Sequence, residues 1–434
     1  MVVYEPELVK GFQDFLPPES QKREAVKQIV ENYFKIYGFL PVETPTIEFD
    51  ELMRPEKPTD EDEAISDRFR LQDKGGRNLG LRYEFTFQLT RIFKQNPNIK
   101  LPFRRYQIGM NFRDEPTGQG RFREFTQCDA DIIGDSSIEA EAECLALAKN
   151  ICDELKIPVT INVNNRKLIN AIFDSVQIEK KLEVMREIDK LDKIGEDAVK
   201  TNLRKYADSN QILTLFKLLE KDLKFFSKNI FDGAEELVKL QELCKQYGFK
   251  IVFSPFLVRG LAYYSGNVVE IKIADEKLAI AAGGRYDKVI GRFLNKDISA
   301  FGISFGMERL VDKAIVNIEK TKAIIISIDK DKEARKLASL LRKENISCFP
   351  MFDKTGRALE YANSYEIPYV IFVGKEELEK GKFKLKNMVS GEEKYLSEKQ
   401  IINLLRKKPQ NIVPVAQLPS SSSQAPSAEE LLSS

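Results

Sequence analysis

From Arg68 to Arg113 the chain reads as three extended runs in succession, "RFRLQD", "LGLRYEFT" and "FRRYQIGMNFR", with "KGGRN" as a tight turn between the first two. Strands following one another this closely point to a sheet built locally, not to alternating strand–helix units. The next stretch, "FRDEPTGQGRFREFTQCDADIIG", packs Arg113, Arg121 and Arg123 around a glycine-containing turn, beside Asp114, Glu115 and Glu124. A charged hairpin of this kind has two readings. One is a solvated turn whose surface ion pairs contribute little. The other is a cradle for a polyphosphate, with arginines as bidentate clamps.

Composition narrows the chemistry before it narrows the fold. The 434 residues contain no histidine, which removes the commonest general base and metal ligand. Ser-His-Asp, Cys-His and HExxH sites are therefore excluded. Five dispersed cysteines without a CxxC pair argue against a disulfide framework and against a zinc site. They read as buried thiols in a reducing cytoplasm, and no protein-held metal is expected. No apolar run approaches the ~20 residues that span a bilayer, and "MVVYEPELVKGFQDF" lacks the pattern of a secretory signal. A cytoplasmic protein without membrane contact is the expectation.

The length suits roughly two to three domains. Residues 20–37 carry Val26, Ile29, Val30, Tyr33, Phe34 and Tyr37 at helical spacing, with Gly38 placed to stop the helix. "FLPVETPTIEF" is extended but broken by Pro41 and Pro45, which suits an edge or interface element. "SSIEAEAECLALAKNICDELKI" is a helix capped by Ser136 or Ser137. Residues 166–246 read as a helical insertion, after which "KIVFSPFLVRGLAYYSGNVVEIKI" alternates like sheet again. "SAFGISFGMERLVDKAI" is a strand feeding a helix near Met307–Arg309. From about Thr321, strands and helices alternate as in a small α/β domain with a mostly parallel sheet. This segment, 321–408, holds 19 Lys and Arg against 13 Asp and Glu, leaving the remainder of the chain at −5. A basic domain on a mildly acidic body is compatible with a nucleic-acid contact. The Ser- and Pro-rich residues 409–434 read as a disordered tail.

Four islands, "LRYEFT", "FRDEPTGQGRFREFTQCDADIIG", "LVRGLAYYSG" and "AAGGRYD" through "GISFGMER", occur in this order. Together they resemble the histidyl-tRNA synthetases, a family of class II aminoacyl-tRNA synthetases, over roughly residues 9–408. The resemblance implies an α+β fold: an antiparallel sheet flanked by helices, with a helical insertion and a C-terminal α/β anticodon-binding domain. It divides the chain into a catalytic core of 1–165 and 247–320, the insertion 166–246, the anticodon-binding domain 321–408 and the tail 409–434.

The same resemblance implies a histidine–tRNA ligase that uses ATP and Mg²⁺ and acts as a homodimer on a tRNA specific for histidine. Arg113 and Arg259 are its implied catalytic residues, Arg113 on the α-phosphate and Arg259 bridging that phosphate and the substrate carboxylate. Arg121 falls to the γ-phosphate, Glu115 to the adenine amino group, Phe125 to one face of the adenine, and Arg309 to its other face and the γ-phosphate. Glu84, Thr86 and Gln127 are implied at the α-amino group, and Asp131, Tyr263, Tyr264 and Tyr286 at the imidazole side of the pocket. Gly260, Gly283 and Gly284 are expected to let a ligand approach closely. One departure stands beside Arg259: Ala262 occupies a position where many family members carry an acid. The related regulatory subunit of ATP phosphoribosyltransferase lacks the anticodon domain and the "RGLxYY" segment, and this chain has both. Other class II enzymes would share the ATP-binding arginines but not Arg259 with Tyr263 and Tyr264.

Overall fold

The computed structural model describes residues 6–53, 67–118, 120–258, 263–274, 276, 279–294, 296–318 and 320–406. The expected tail falls outside these residues, as do Arg259, Gly260 and Ala262. The chain divides into two compact units at Val316–Asn317, where the sequence reading puts the boundary at 320–321. Among the described residues no helix is long and apolar enough to cross a membrane.

The first unit holds strands β1 (Leu40–Pro41), β2 (Ile47–Phe49), β3 (Arg70–Gln72), β4 (Asn78–Leu81), β5 (Phe103–Phe112) and β6 (Glu124–Ile133), followed by β7 (Val159–Asn165), β8 (Val252–Phe253), β9 (Asn267–Ile273), β10 (Ala279–Arg285) and β11 (Ala300–Gly306). Eight of them form one sheet in the order β1-β5-β6-β11-β10-β9-β7-β8, and β2-β4-β3 form a separate small one. The six central strands of the large sheet are antiparallel; only the two-residue strands β1 and β8 pair in parallel, one at each edge. Pro41 thus sits on an edge strand, where its missing N–H is tolerated.

Period-two alternation makes the sheet two-faced. One face carries Tyr106, Cys128, Ala130, Ile132, Ile303 and Phe305, all buried in the main core with Val26, Val30 and Phe34 of the helix Glu19–Ile36 and with Leu145 and Ile151 of the helix Ile138–Glu154. Each fully buried side chain such as Phe34 or Phe305 contributes about 1.5–3 kcal/mol. The opposite face of the same strands carries Arg105, Gln107, Asn111, Gln127, Asp129, Asp131 and Ser304.

Two local features depart from the sequence reading. "LGLRYEFT" is strand only over Asn78–Leu81, and Thr86 begins the helix Thr86–Gln95. Glu84 causes the switch, since its Oε1 accepts from the N–H groups of Thr86 (3.0 Å) and Phe87 (2.8 Å) and so satisfies two free amides of the first turn. Between β8 and β9 the segment "SPFLVRGLAYYSG", read as alternating like sheet, is not strand where it is described. From Arg166 to Gln246 the described structure contains seven helices, one of them opened by an Asp208–Gln211 capping box.

A buried polar network ties the insertion to the sheet. Glu141, 0 % exposed on the helix Ile138–Glu154, pairs with Arg285 of β10 and accepts from Asn267 Nδ2 at 2.6 Å. Asn165 Nδ2 in turn donates to Asn267 Oδ1 (2.8 Å) and to Glu236 Oε2 (2.7 Å) on the helix Ala234–Gln246.

The second unit is a five-stranded sheet, β13 (Cys348–Met351), β12 (Ala323–Ser327), β14 (Tyr369–Val373), β15 (Phe383–Asn387) and β16 (Glu393–Leu396) in spatial order. β13, β12 and β14 are parallel, but β15 and β16 return antiparallel, so the expected mostly parallel sheet covers three of the five strands. The reversal follows from the short connection after β14, which has room for the five-residue helix Lys375–Glu379 but not for a long crossover.

Glu141→Ala strands the Arg285 guanidinium in the interior and is expected to lower stability by about 3–5 kcal/mol, read from urea unfolding of the full chain. A loss below about 1 kcal/mol would mean that Asp287, 3.4 Å from Arg285, suffices as its partner.

Candidate active site

The polar face gains its geometry from strand register. Arg105, Asp131 and Gly302 lie opposite one another on β5, β6 and β11; Gln107, Asp129 and Ser304 form the next row, and Gly109, Gln127 and Gly306 the row after it. Six of the side chains named by the sequence reading, Glu84, Thr86, Gln127, Asp131, Tyr264 and Tyr286, come from this face or from the segments that border it.

Gln127 is held at both ends. Asn111 Nδ2 donates to its Oε1, and its Nε2 donates to Ser304 Oγ at 2.7 Å. Ser304 Oγ then donates to Asp129 Oδ1. Asp129 is buried, and that burial pushes its carboxyl up from 3.8 to about 7, with Arg105 opposing and Asp131 reinforcing the shift. Burial likewise raises Glu84, against the pull of its two amide donors and of Arg113 and Arg105.

Asp131 and Tyr286 touch directly: the Tyr286 hydroxyl donates to Asp131 Oδ1. Asp131 Oδ2 lies 2.7 Å from Arg105 Nη2 in an ion pair with both side chains buried. The two groups expected on the imidazole side therefore form a hydrogen-bonded pair. Tyr263 lies 4.8 Å from Tyr264 and 6.1 Å from Tyr286 between ring centroids, closing an aromatic cluster against this pair. Glycines make room here for protein atoms. A Cβ on Gly284 would meet the Tyr264 ring at 2.8 Å, one on Gly302 would lie 2.0 Å from Asp131 Oδ1, and one on Gly283 would strike the Gly302 carbonyl at 2.1 Å. At Gly283 and Gly284, where close ligand approach is the expectation, the structure shows close packing of the site's own walls.

The hairpin residues between β5 and β6 are paired among themselves. Arg121 forms an ion pair with Glu115, which is buried. Arg113 lies over two rings, 4.3 Å from the Tyr83 centroid and 4.9 Å from that of Phe125, so its guanidinium covers the ring expected to stack on adenine. Arg309 leaves the helix Met307–Lys313 and donates from Nη1 to the Ala279 carbonyl at 2.6 Å. The preceding Glu308 accepts from the Thr126 amide and from Arg23, both at 3.0 Å, which anchors the helix to β6. Arg123, the third arginine of the hairpin, takes a structural part: its amide donates to the Gly11 carbonyl (2.9 Å) and its Nε to the Glu115 carbonyl (3.2 Å).

Sequence reasoning missed Arg105, Asn111, Asp129 and Ser304. The signal was available in the two-residue spacing of Gln127, Asp129 and Asp131, which puts all three on one face.

Comparison with known proteins adds an independent line. The family model described as Histidyl-tRNA synthetase matches residues 11–310, and that described as Anticodon binding domain matches residues 315–408. A histidine–tRNA ligase 1 of Bacillus cereus is 39% identical over 410 residues, covering 89% of this chain and 94% of that protein. The histidine–tRNA ligase of Helicobacter acinonychis is 32% identical over 422 residues, covering 89% and 94%. The crystal structure of histidyl-tRNA synthetase from Nostoc sp. PCC 7120 superposes with a TM-score of 0.81 at 23% identity, covering 93% of this chain and 99% of that one. A structure titled as an ATP phosphoribosyltransferase regulatory subunit/histidyl-tRNA synthetase from Bacillus halodurans reaches 0.71 at 20% identity, with 85% and 99% covered. These two likenesses bear on the fold.

Two outcomes test the site. Gly302→Ala is expected to push the Asp131 carboxylate off its position and raise the KM for the amino-acid substrate more than it lowers kcat. Asp129 keeps a proton between its ordinary 3.8 and about 7 that the unfolded chain has released, so stability falls as pH rises through that window and is level above it. Urea midpoints at pH 5, 6, 7 and 8 should show a shallower decline for Asp129→Asn than for the wild type.

Proposed function

The chain belongs to the histidyl-tRNA synthetase family, and on that footing we propose which of its residues carry each step of the reaction. That reaction has two stages: histidine and ATP give histidyl-adenylate and pyrophosphate, and the histidyl group then passes to the 3′ end of the tRNA. The second unit is the anticodon-binding domain.

Arg113 is proposed to hold the α-phosphate as the histidine carboxylate attacks it, the point where negative charge accumulates. A planar, permanently charged guanidinium suits that task, because this chemistry asks for alignment and charge stabilisation and little of a general base. Arg259 is proposed to bridge the carboxylate and the α-phosphate. Arg121 and Arg309 take the γ-phosphate, with Glu115 on the adenine amino group and Phe125 stacked on the ring. Binding ATP in this way requires exchange: Arg121 leaves Glu115 for phosphate, and Arg113 swings off Phe125 to free its face. Magnesium is proposed to arrive with ATP as counter-ion of the β- and γ-phosphates. The described residues contain no group of three or more acidic or thiol side chains placed to hold an ion, and no step is assigned to a protein-held metal.

For histidine, Glu84, Thr86 and Gln127 are proposed at the α-ammonium group, and Asp131 with Tyr263, Tyr264 and Tyr286 at the imidazole. The observation that carries this reading is the polar sheet face itself. It gathers carboxylates for a cation beside a hydroxyl–carboxylate pair able to meet a ring nitrogen, with Arg113 at its border. A homodimer is proposed through the segment around β1 and β2. Leu40, Ile47 and Phe49 are 58 %, 48 % and 52 % exposed there, an apolar strip that a partner subunit would cover.

Pyrophosphate exchange with each of the twenty amino acids is expected to proceed with histidine alone; exchange with another amino acid would overturn the pocket assignment. Arg113→Gln is expected to slow histidine-dependent exchange by about 10²–10³-fold while calorimetric histidine affinity stays unchanged. An equal loss of affinity would make Arg113 a pocket residue and remove its assigned role.

A further inference from the structure

We infer that Arg105 is a positioning residue for amino-acid recognition. By ion pairing with Asp131 it keeps that carboxylate an acceptor, which commits the Tyr286 hydroxyl proton to Asp131 and leaves the phenol oxygen only lone pairs to offer a ligand. The inference rests on the reading that Asp131 and Tyr286 meet the imidazole, and it adds what those two groups select: a ring nitrogen that carries a hydrogen.

The geometry supports each link. Arg105 is 0 % exposed and stands directly opposite Asp131 in the β5–β6 register. Its Nη2 is 2.7 Å from Asp131 Oδ2. None of its three guanidinium nitrogens forms a hydrogen bond among the described residues, and the ion pair with Asp131 is the contact that compensates its charge. Asp131 cannot move away through the sheet, because its Oδ1 occupies the space over Gly302. Its other oxygen pairing is the hydrogen bond from Tyr286. A phenol has one proton to give, and here that proton is spent on Asp131.

Arg105 is needed because of what else surrounds Asp131. Asp129 from the same strand and Glu84 from the loop before Thr86 are carboxylates that interact with the same guanidinium, and the buried Cys144 thiol of the helix Ile138–Glu154 feels the Asp131 charge from the apolar side of the sheet. Tyr286 approaches from the end of β10, and Arg105 is the cation of the group. Burial pushes the Asp131 carboxyl upward even with Arg105 and Tyr286 opposing it. Remove the guanidinium and Asp131 takes a proton. A neutral acid then donates to the phenol oxygen, the Tyr286 proton turns outward, and the group that accepted a ring N–H now offers a hydrogen to it.

The test is histidine-dependent pyrophosphate exchange by the full chain between pH 7 and 9, for the wild type, Arg105→Lys, Arg105→Met, Asp131→Asn, Tyr286→Phe and the double variant Arg105→Met/Asp131→Asn. Arg105→Met is expected to raise the histidine KM at pH 7 by about 10- to 100-fold, with kcat within about threefold. The excess should shrink toward pH 9 as Asp131 ionises. Arg105→Lys keeps the charge and should recover most of the loss. The double variant leaves no carboxylate at position 131 to titrate, so it should fold even where Arg105→Met does not, and its KM should be high and level with pH relative to the wild type. An Arg105→Met KM equal to wild type, or raised by the same factor at every pH, overturns the inference, as does a double variant whose KM falls toward pH 9. If Asp131→Asn and Tyr286→Phe themselves leave the histidine KM unchanged, the pocket reading has failed. If both raise it while Arg105→Met does not, only the role of Arg105 is lost.

Discussion

Three carboxylates, Glu84, Asp129 and Asp131, converge on one buried guanidinium, and the active face depends on that balance. Removing a carboxylate from water costs several kcal/mol even after relaxation. A cation at contact distance returns on the order of 4 kcal/mol at an effective dielectric of 20. One arginine therefore offsets about one acid, and the others must be neutralised or hydrogen-bonded. The structure does both: Asp129 is pushed toward its protonated form and accepts from Ser304, while Glu84 accepts from two backbone amides. Strand register holds Asp131 against Arg105, and Glu84, which feels both Arg113 and Arg105, is the carboxylate proposed to meet a substrate ammonium group.

That register is also what a sequence shows best. Residues 103–112 and 124–133 alternate so regularly that pairing the two strands puts Arg105, Gln107, Gln127, Asp129 and Asp131 on one face and Tyr106, Ile108, Cys128, Ala130 and Ile132 on the other. The helices over the apolar face, the insertion and the second unit were legible from periodicity for the same reason. Less legible were features that depend on three-dimensional closure. Arg104 and Arg105 look alike in "FRR", yet alternation sends Arg104 to Glu143 at 2.6 Å, partly exposed, and Arg105 into the interior. Only the cross-strand partner distinguishes them, and that partner lies 26 residues away. The helix at Thr86 was missed because "LRYEFT" has strand propensity throughout, and one side-chain oxygen on two amides outweighs it. β15 and β16 turn back because the link after β14 is short, a constraint of connection length and not of strand composition.

Glycine packing sets a further constraint on the site. Gly283 and Gly284 were legible as places of close approach, and Gly302 joins them in the structure. What approaches, however, is the Tyr264 ring, the Asp131 carboxylate and a neighbouring carbonyl. A side chain at any of the three would displace a wall of the pocket before it touched a ligand. The glycines serve specificity through packing density, because a carboxylate wedged against a backbone has one position to occupy.

The pairs that fill the site in this structure bear on selectivity. Glu115 with Arg121, Arg113 with Phe125 and Tyr83, and Asp131 with Tyr286 are each satisfied internally. Where a ligand replaces such a contact, as proposed for Arg121 and Arg113, its net gain is the difference between two interactions. In the exchange proposed for ATP, the half-exposed Arg121 leaves the buried Glu115 for a bidentate phosphate contact, and Glu115 then takes the adenine amino group as its new donor. The Asp131–Tyr286 pair behaves differently. It is buried, and if histidine binds as proposed without breaking it, what it offers is the unused lone pairs of the phenol, and a side chain of similar shape without a ring N–H would leave them unpaired in a desolvated pocket. Polar mismatches of that kind are penalised far more steeply than a missing methylene. The ATP-binding end of the site can thus be adaptable while the amino-acid end is exacting, and the difference follows from which of the existing contacts the substrate has to break.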